Sequence, residues 1–239
     1  MKVYGQTHIG LVRETNQDAL EYGTLNNTAQ YAVVCDGMGG ANGGNIASKI
    51  AVEVIGSRIR DGYHESSSVE HLLTSAMATA NAGVYDRAQR EEALNGMGTT
   101  VVAVIICEHT AYISHVGDSR LYLYREGNLR QITRDHSVVQ ELVESGQITA
   151  EEARSHPRKN YITRAVGVVS EEYGEYDELD LLSGDRLVLC TDGLTNELMA
   201  EHMRGPLGLP AEDAVEALIR AALNNGGKDN ITVALMDID

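Results

Sequence analysis

The stretch YAVVCDGMGG, Tyr31 to Gly40, decides the reading: a run of strand-forming apolar residues stops abruptly at an aspartate and a cluster of glycines. The arrangement recurs. HVGDS (Asp118) and VLCTDG (Asp192) also place an aspartate where an apolar strand runs out, and GGKDNITV places Asp229 just before one starts. If these ends meet at one rim, four carboxylates converge, and unpaired they would repel and neutralise through shifted pKa values. Hard divalent cations resolve that conflict, and magnesium and manganese prefer such oxygen ligands. The adjoining glycines permit close backbone approach, which makes the carbonyl of Gly37 a further candidate ligand. Asp-Gly is also ordinary turn chemistry, and any one of these positions alone reads as a turn. Four together, each on a β boundary, favour a metal.

A chain of 239 residues removes roughly 70–75 % of its unfolded surface from water on folding, enough for a real core without staples. Hydrophobic residues make up 43 %, yet Phe and Trp are absent, so Val, Ile, Leu, Ala and Tyr must fill the interior, which favours sheets and small-residue helices. Cys35, Cys107 and Cys190 each close an apolar strand-like run, which predicts buried thiols in a reducing compartment and no disulfides. No stretch reaches about 18 consecutive apolar residues, and MKVYGQTHIG lacks the apolar segment of a secretion signal, so a soluble, cytoplasmic protein is expected. A formal charge of -16 argues against nucleic acid or an anionic membrane as a partner. Any site handling phosphate must then import positive charge.

There is no internal repeat or linker-like tract, and one continuous domain is the simpler reading. Residues 42–60 carry Ile46, Ala47, Ile50, Ala51, Val54 and Ile55, the stripe of an amphipathic helix, and residues 67–92 repeat the pattern from Val69 to Val84. Thr99 to Ile132 reads as an antiparallel meander of short strands. A less regular segment from about Asp135 to Gly167 precedes strands near 175–182 and 186–191, a helix from about Ala211 to Leu223 and a last strand NITVALMDI. Sheets packed on each other with helices outside fit this order.

Several other motifs fail on their residues. GMGGANGG lacks the Lys-Ser/Thr ending of a Walker loop and puts Asn42 where a dinucleotide fingerprint needs a small residue. A cysteine phosphatase requires Arg six residues after its nucleophile, where Ala41, Ile113 and Asn196 stand. No Asn-His-Glu triplet follows VGDSR, as a calcineurin-like hydrolase would need, and no histidine spacing looks ligand-like. An EF-hand fails because Met38 and Gly40 fall at ligand positions.

RETNQD (Arg13 to Asp18), VCDGMGG, GMGTTVV, VGDSRLYLYREG, CTDGL and KDNITV stand in order between about residues 5 and 236. In these motifs the chain resembles the bacterial protein phosphatase 2C family, the metal-dependent Ser/Thr protein phosphatases. The resemblance implies an α+β fold, a four-layer α-β-β-α sandwich of two mainly antiparallel sheets flanked by helices, as a single catalytic domain over residues 1–239. It places a metal cluster at one rim and a mobile flap, about residues 135–167, beside it. Asp36 would bridge two tightly bound Mn2+ or Mg2+ ions, with the Gly37 carbonyl on one and Asp192 and Asp229 on the other. Asp118 would hold a third, weaker ion together with Asp192. Asp18 would hydrogen-bond metal-bound water, and Arg13 would grip the substrate phosphate.

On this reading Arg13, Asp36 and Asp192 carry catalysis, with hydroxide between two metals attacking phosphorus in line with the departing Ser or Thr oxygen. The planar Arg13 fork suits two phosphate oxygens, although a surface Arg is often only a salt-bridge partner. The implied partners are phosphorylated proteins, Ser/Thr kinases and their substrates among them, and a monomer is expected. Two alternatives remain: a catalytically silent relative that binds phosphoproteins or senses metal, which would normally show a lost ligand or a lost Arg13, and a phosphatase of small phosphoesters. The chain departs from many bacterial relatives at Ala41 and Asn45, where they carry His and Glu. It departs from eukaryotic members at Met38, where they carry His, and no side-chain general acid is evident.

Arg154, Arg158, Lys159 and Arg164 fall within eleven residues of a chain with only 19 basic ones. They are either a solvated stretch with structural ion pairs or a means of drawing in anionic phosphopeptides that the net charge would repel.

Overall fold

The computed structural model describes residues 2–64 and 68–239, with the side chains of Gly40, Ala41 and Asn42 outside the description. The expectation attached to Ala41 therefore lies outside the described residues, as does Ser67 at the start of the second expected helix.

Two sheets stack face to face. The first orders its strands β1 (Lys2–His8), β11 (Ile231–Asp237), β10 (Arg186–Cys190), β7 (Arg120–Arg125) and β8 (Asn128–Gln131). The second runs β2 (Asp18–Asn26), β3 (Ala29–Met38), β5 (Val101–Cys107), β6 (Thr110–Val116) and β9 (Glu175–Asp180), with β4 (Gly98–Thr99) paired to the end of β3. Every described strand pair is antiparallel. Outside the second sheet lie α1 (Gly40–Gly62) and α2 (Val69–Arg90); outside the first lie α5 (Asp192–Thr195), α6 (Ala200–Leu207) and α7 (Ala211–Asn224).

The apolar runs that lack polar alternation are central strands covered on both faces. In β3, Tyr31, Val33 and Cys35 pack under α1 and α2 while Ala32 and Val34 point between the sheets. In β10, Leu187 and Leu189 point between the sheets and Val188 and Cys190 face α7. The period of two thus feeds three cores at once, and each fully buried Leu or Ile contributes about 1.5–3 kcal/mol. Cys35 and Cys190 are buried in opposite outer layers, too far apart in the fold to pair. Cys107 corrects the expectation of three buried thiols: it is only partly buried and accepts a hydrogen bond from Tyr63 Oη at 3.1 Å.

Both long helices form where the apolar stripe predicts. Ser68 starts α2 by accepting the His71 N–H on its side-chain oxygen, which satisfies one of the free donors of the first turn. The segment after β8 carries α3 (Val138–Glu144) and α4 (Ala150–Ser155), the latter begun by a Thr149–Glu152 capping box. Neither helix has a buried side chain. The segment is fastened at its base by isolated bridges, Ser137 to Ile162 and Thr99 to Val166.

Candidate active site

The strand ends do meet. Arg13, Asp36, Gly37, Asp118, Asp192 and Asp229 line one cavity of about 630 Å3. Asp36 comes from β3, Asp118 from the turn after β6, Asp192 from the first residue of α5 and Asp229 from the turn before β11. Asp18, opposite Asp36 in the β2–β3 register, sits behind them rather than in the cavity wall.

A set of hydroxyl and amide side chains that the sequence reading did not single out holds these carboxylates. Thr100 Oγ1 accepts the Asp36 N–H at 3.0 Å, Thr99 Oγ1 donates to the Asp36 carbonyl at 2.9 Å, and Thr100 Oγ1 lies 2.7 Å from Ser119 Oγ beside Asp118. Thr191 and Thr232 both donate to Asp18 Oδ2, at 2.9 and 2.6 Å. Asn230 accepts the Gln17 N–H and donates to the carbonyls of Ile9 and Thr15, which pins the loop that carries Arg13. Ser119, Thr191, Asn230 and Thr232 lie within a few positions of a motif aspartate, whereas Thr99 and Thr100 stand far from any of them along the chain. Gly37 has no room for a Cβ, which would stand 2.0 Å from the Gly44 carbonyl oxygen.

The electrostatics are those of an uncompensated anion cluster. Burial pushes the Asp36 carboxyl well up, and Asp18, Asp192, Asp118 and Asp229 add to the shift. Burial, then Asp192 and Asp135, carry Asp118 to about 8, against the opposing pull of Arg120. Asp18 is raised to about 7, mostly by burial, in spite of its two threonine donors. Asp192 is also raised, by burial and by Asp229, although Asp36 and Asn196 hydrogen-bond to it. Among the described residues the one cation in the cavity wall is Arg13, whose Nη2 lies 2.8 Å from Asp229 Oδ2. Asp18 Oδ1 is buried without any hydrogen-bond partner. Partly buried carboxylates that outnumber the nearby cations, and an orphaned buried acceptor behind them, fit hard divalent ions with ordered water.

The flap cations separate. Arg164 is committed to Glu172 and Glu175, at 2.6 and 3.0 Å, so it does not belong to a free basic patch. The same region brings His115, His136 and Glu175 within 4.8 Å of one another, a grouping that spacing along the chain could not reveal. His136 Nδ1 accepts the Gly117 N–H, which leaves the ring proton on Nε2, 3.0 Å from Glu175 Oε1. An Nε2 that carries its proton has no lone pair for a metal, so the trio is a hydrogen-bonded network.

Residues 5–236 match the protein phosphatase 2C family. The chain belongs to that family. It is 37 % identical to protein phosphatase PhpP of Streptococcus pneumoniae, over 100 % of this chain and 98 % of that one. Among solved structures, the S. agalactiae serine/threonine phosphatase superposes with a TM-score of 0.92 at 37 % identity, covering 100 % of this chain and 99 % of the other. The catalytic domain of serine/threonine protein phosphatase PstP, solved with two manganese ions, gives 0.90 at 33 % identity and covers 100 % and 98 %. The α-β-β-α sandwich of this phosphatase 2C chain is thus the family fold.

Proposed function

We propose that this chain hydrolyses phosphoserine and phosphothreonine in proteins, with Asp36, Asp192, Asp229 and the Gly37 carbonyl holding two Mn2+ or Mg2+ ions and Asp118 a weaker third. The observation that carries the reading is the convergence of four motif aspartates and Arg13 on one cavity. Bound there, the ions supply an acidified water as nucleophile and offset the charge of the phosphate.

The chain's own residues do the rest. Asp18 Oδ1 is buried and unpaired and would accept a hydrogen bond from water held by the ions. Arg13 stands half-exposed at the mouth, and its fork turns from Asp229 to bind two phosphate oxygens, stabilising charge as the bond to the leaving oxygen breaks. Among the described residues no histidine lines the cavity, so the leaving alkoxide takes its proton from water rather than from an imidazole.

The catalytically silent alternative is not favoured, since neither Arg13 nor any of the acidic set is replaced and the similar proteins are named phosphatases. We take residues 1–239 as one catalytic domain because the site draws on both sheets. We place the chain in the cytoplasm as a monomer that acts on Ser/Thr kinases and their substrates. Its free thiols support that location, and no helix among the described residues is long and apolar enough to cross a membrane. The test is phosphate release from a phosphothreonine peptide with and without Mn2+. Release that stops on chelation is expected, and absence of release at saturating Mn2+ would overturn the proposal.

A further inference from the structure

A second cavity, of about 520 Å3, lies between the flap and the acidic rim. Asp118 and Asp192 line both cavities, so the two adjoin across these residues. The flap side of the second cavity supplies Val139 and Val143 of α3, Ala153 and Arg154 of α4, and Lys159.

The charges in its wall are not balanced pair by pair. Asp135 is neutralised by Arg120, whose Nε and Nη2 both reach it, the closer at 2.6 Å. Asp118 and Asp192 belong to the metal-binding set. Glu151 sits in the first turn of α4, where a helix N-terminus favours negative charge. Arg154 and Lys159 remain. Arg154 Nη2 lies 3.5 Å from the Thr195 carbonyl and Lys159 Nζ 3.4 Å from Asn196 Oδ1, long contacts to neutral acceptors. Among the described residues neither makes an ion pair, whereas Arg120, Arg125, Arg134, Arg164 and Arg186 each sit on a carboxylate. In a chain with 35 acidic and 19 basic residues, two cations kept off every carboxylate and turned toward a cavity beside the reacting centre make an anion subsite.

We infer that this cavity takes a second anionic side chain of the phosphoprotein substrate, a Glu, an Asp or another phosphoresidue near the target phosphoresidue, and that Arg154 and Lys159 bind it. The inference rests on the phosphatase reading above. An extended peptide advances about 3.3 Å per residue, so a neighbouring side chain crosses from the first cavity into the second. The walls from Val139, Val143 and Ala153 accommodate its methylene stem. Arg164 takes no part, being held by Glu172 and Glu175.

The experiment compares two phosphothreonine peptides that differ only in flanking Glu against Gln, using the full chain with saturating Mn2+. The wild type should favour the Glu peptide by about five- to tenfold in kcat/KM, mostly through KM, as expected of two partly exposed charge pairs. That ratio should fall toward one in the Arg154→Gln/Lys159→Gln double variant and at about 0.5 M salt. It should invert in Arg154→Glu/Lys159→Glu. A ratio near one in the wild type, a preference that survives both substitutions, or an equal loss on both peptides would each overturn the subsite while leaving the phosphatase reading intact. No release from either peptide would instead remove the phosphatase reading and the subsite together.

Discussion

His136 and Gly117 are joined by two reciprocal hydrogen bonds: the His136 N–H donates to the Gly117 carbonyl at 2.9 Å, and the Gly117 N–H donates to His136 Nδ1 at 3.0 Å. Gly117 precedes Asp118 and holds a φ of +100°, a conformation that suits glycine, with His136 bonded to the peptide groups before and after its Cα. Because His136 opens the flap, the base of that segment and the turn presenting Asp118 form one unit. His136→Ala should leave a buried donor unpaired and cost about 1–3 kcal/mol of stability. His136→Asn, whose Oδ1 stands near the position of Nδ1, should recover part of it. Thermal unfolding of the three proteins checks this; equal losses in both variants would show that the Gly117 bond is not what matters.

The same histidine makes stability depend on pH. Both His136 and His115 titrate below their ordinary 6.5, chiefly because burial penalises the cation, with Arg164 adding to the effect while Glu175 opposes it. A lowered folded pKa means that the unfolded chain takes up the proton first. This stabilisation is therefore fully present above 6.5 and is lost as the pH falls from there through the folded values. Urea midpoints between pH 7.5 and 5.5 should drop more steeply for the wild type than for His136→Asn, and parallel slopes would contradict the assignment.

The carboxylate cluster has the opposite sign. With folded pKa values raised from 3.8 to about 7 for Asp18 and about 8 for Asp118, the metal-free protein is most stable below the unfolded value and weakens as pH rises toward the folded ones. Chelation should therefore lower the melting temperature more at pH 8 than at pH 6. Calorimetric scans with and without EDTA at both values measure it; a loss independent of pH would place the metals elsewhere.

Asp192→Asn tests the ligand set itself. The amide keeps an acceptor for the Asn196 side chain, which donates to Asp192 Oδ2 at 2.8 Å, so the fold should survive while turnover falls by at least about 10²-fold. The metal-free variant should also melt higher than the metal-free wild type, because one of the mutually repelling carboxylates is gone. Full turnover at saturating Mn2+ would remove Asp192 from the site.

Gly44→Ala should act on the metals from a distance. A Cβ there would stand 2.6 Å from both the Gly37 carbonyl oxygen and Gln17 Oε1, forcing the peptide plane of Gly37 aside at a cost of about 1–3 kcal/mol. Titration calorimetry should show weaker Mn2+ binding with the circular dichroism spectrum unchanged. Undiminished affinity would mean that the Gly37 carbonyl is not a ligand.

Much of this was legible in the sequence because the informative residues carry strong local signals. The apolar stripe from Ile46 to Ile55 and the glycine-flanked aspartates need no tertiary context to be noticed. The short helices α5 and α6 and the edge strand β1 were not read, since four to eight residues of mixed polarity form structure only against a sheet already in place. Thr191, just past β10, and Thr232, in β11, reach Asp18 from the other end of the chain, and although each stands near a motif aspartate, nothing local shows which carboxylate it supports. Arg164 looked like a member of a basic patch because its partners Glu172 and Glu175 lie beyond the segment, where sequence counting does not reveal an ion pair.

The register of the first sheet governs when the enzyme comes into being. β11 is inserted between β1 and β10, pairing Lys2 with Asp237 and His8 with Ile231. β1 therefore has no ladder partner until a strand far along the chain from it has been made. Asp229 arrives in the same moment. Pairing over such a separation is slow and leaves an open edge while it waits, so a chain that has not yet made this segment lacks both the β1 ladder and one carboxylate of the cavity.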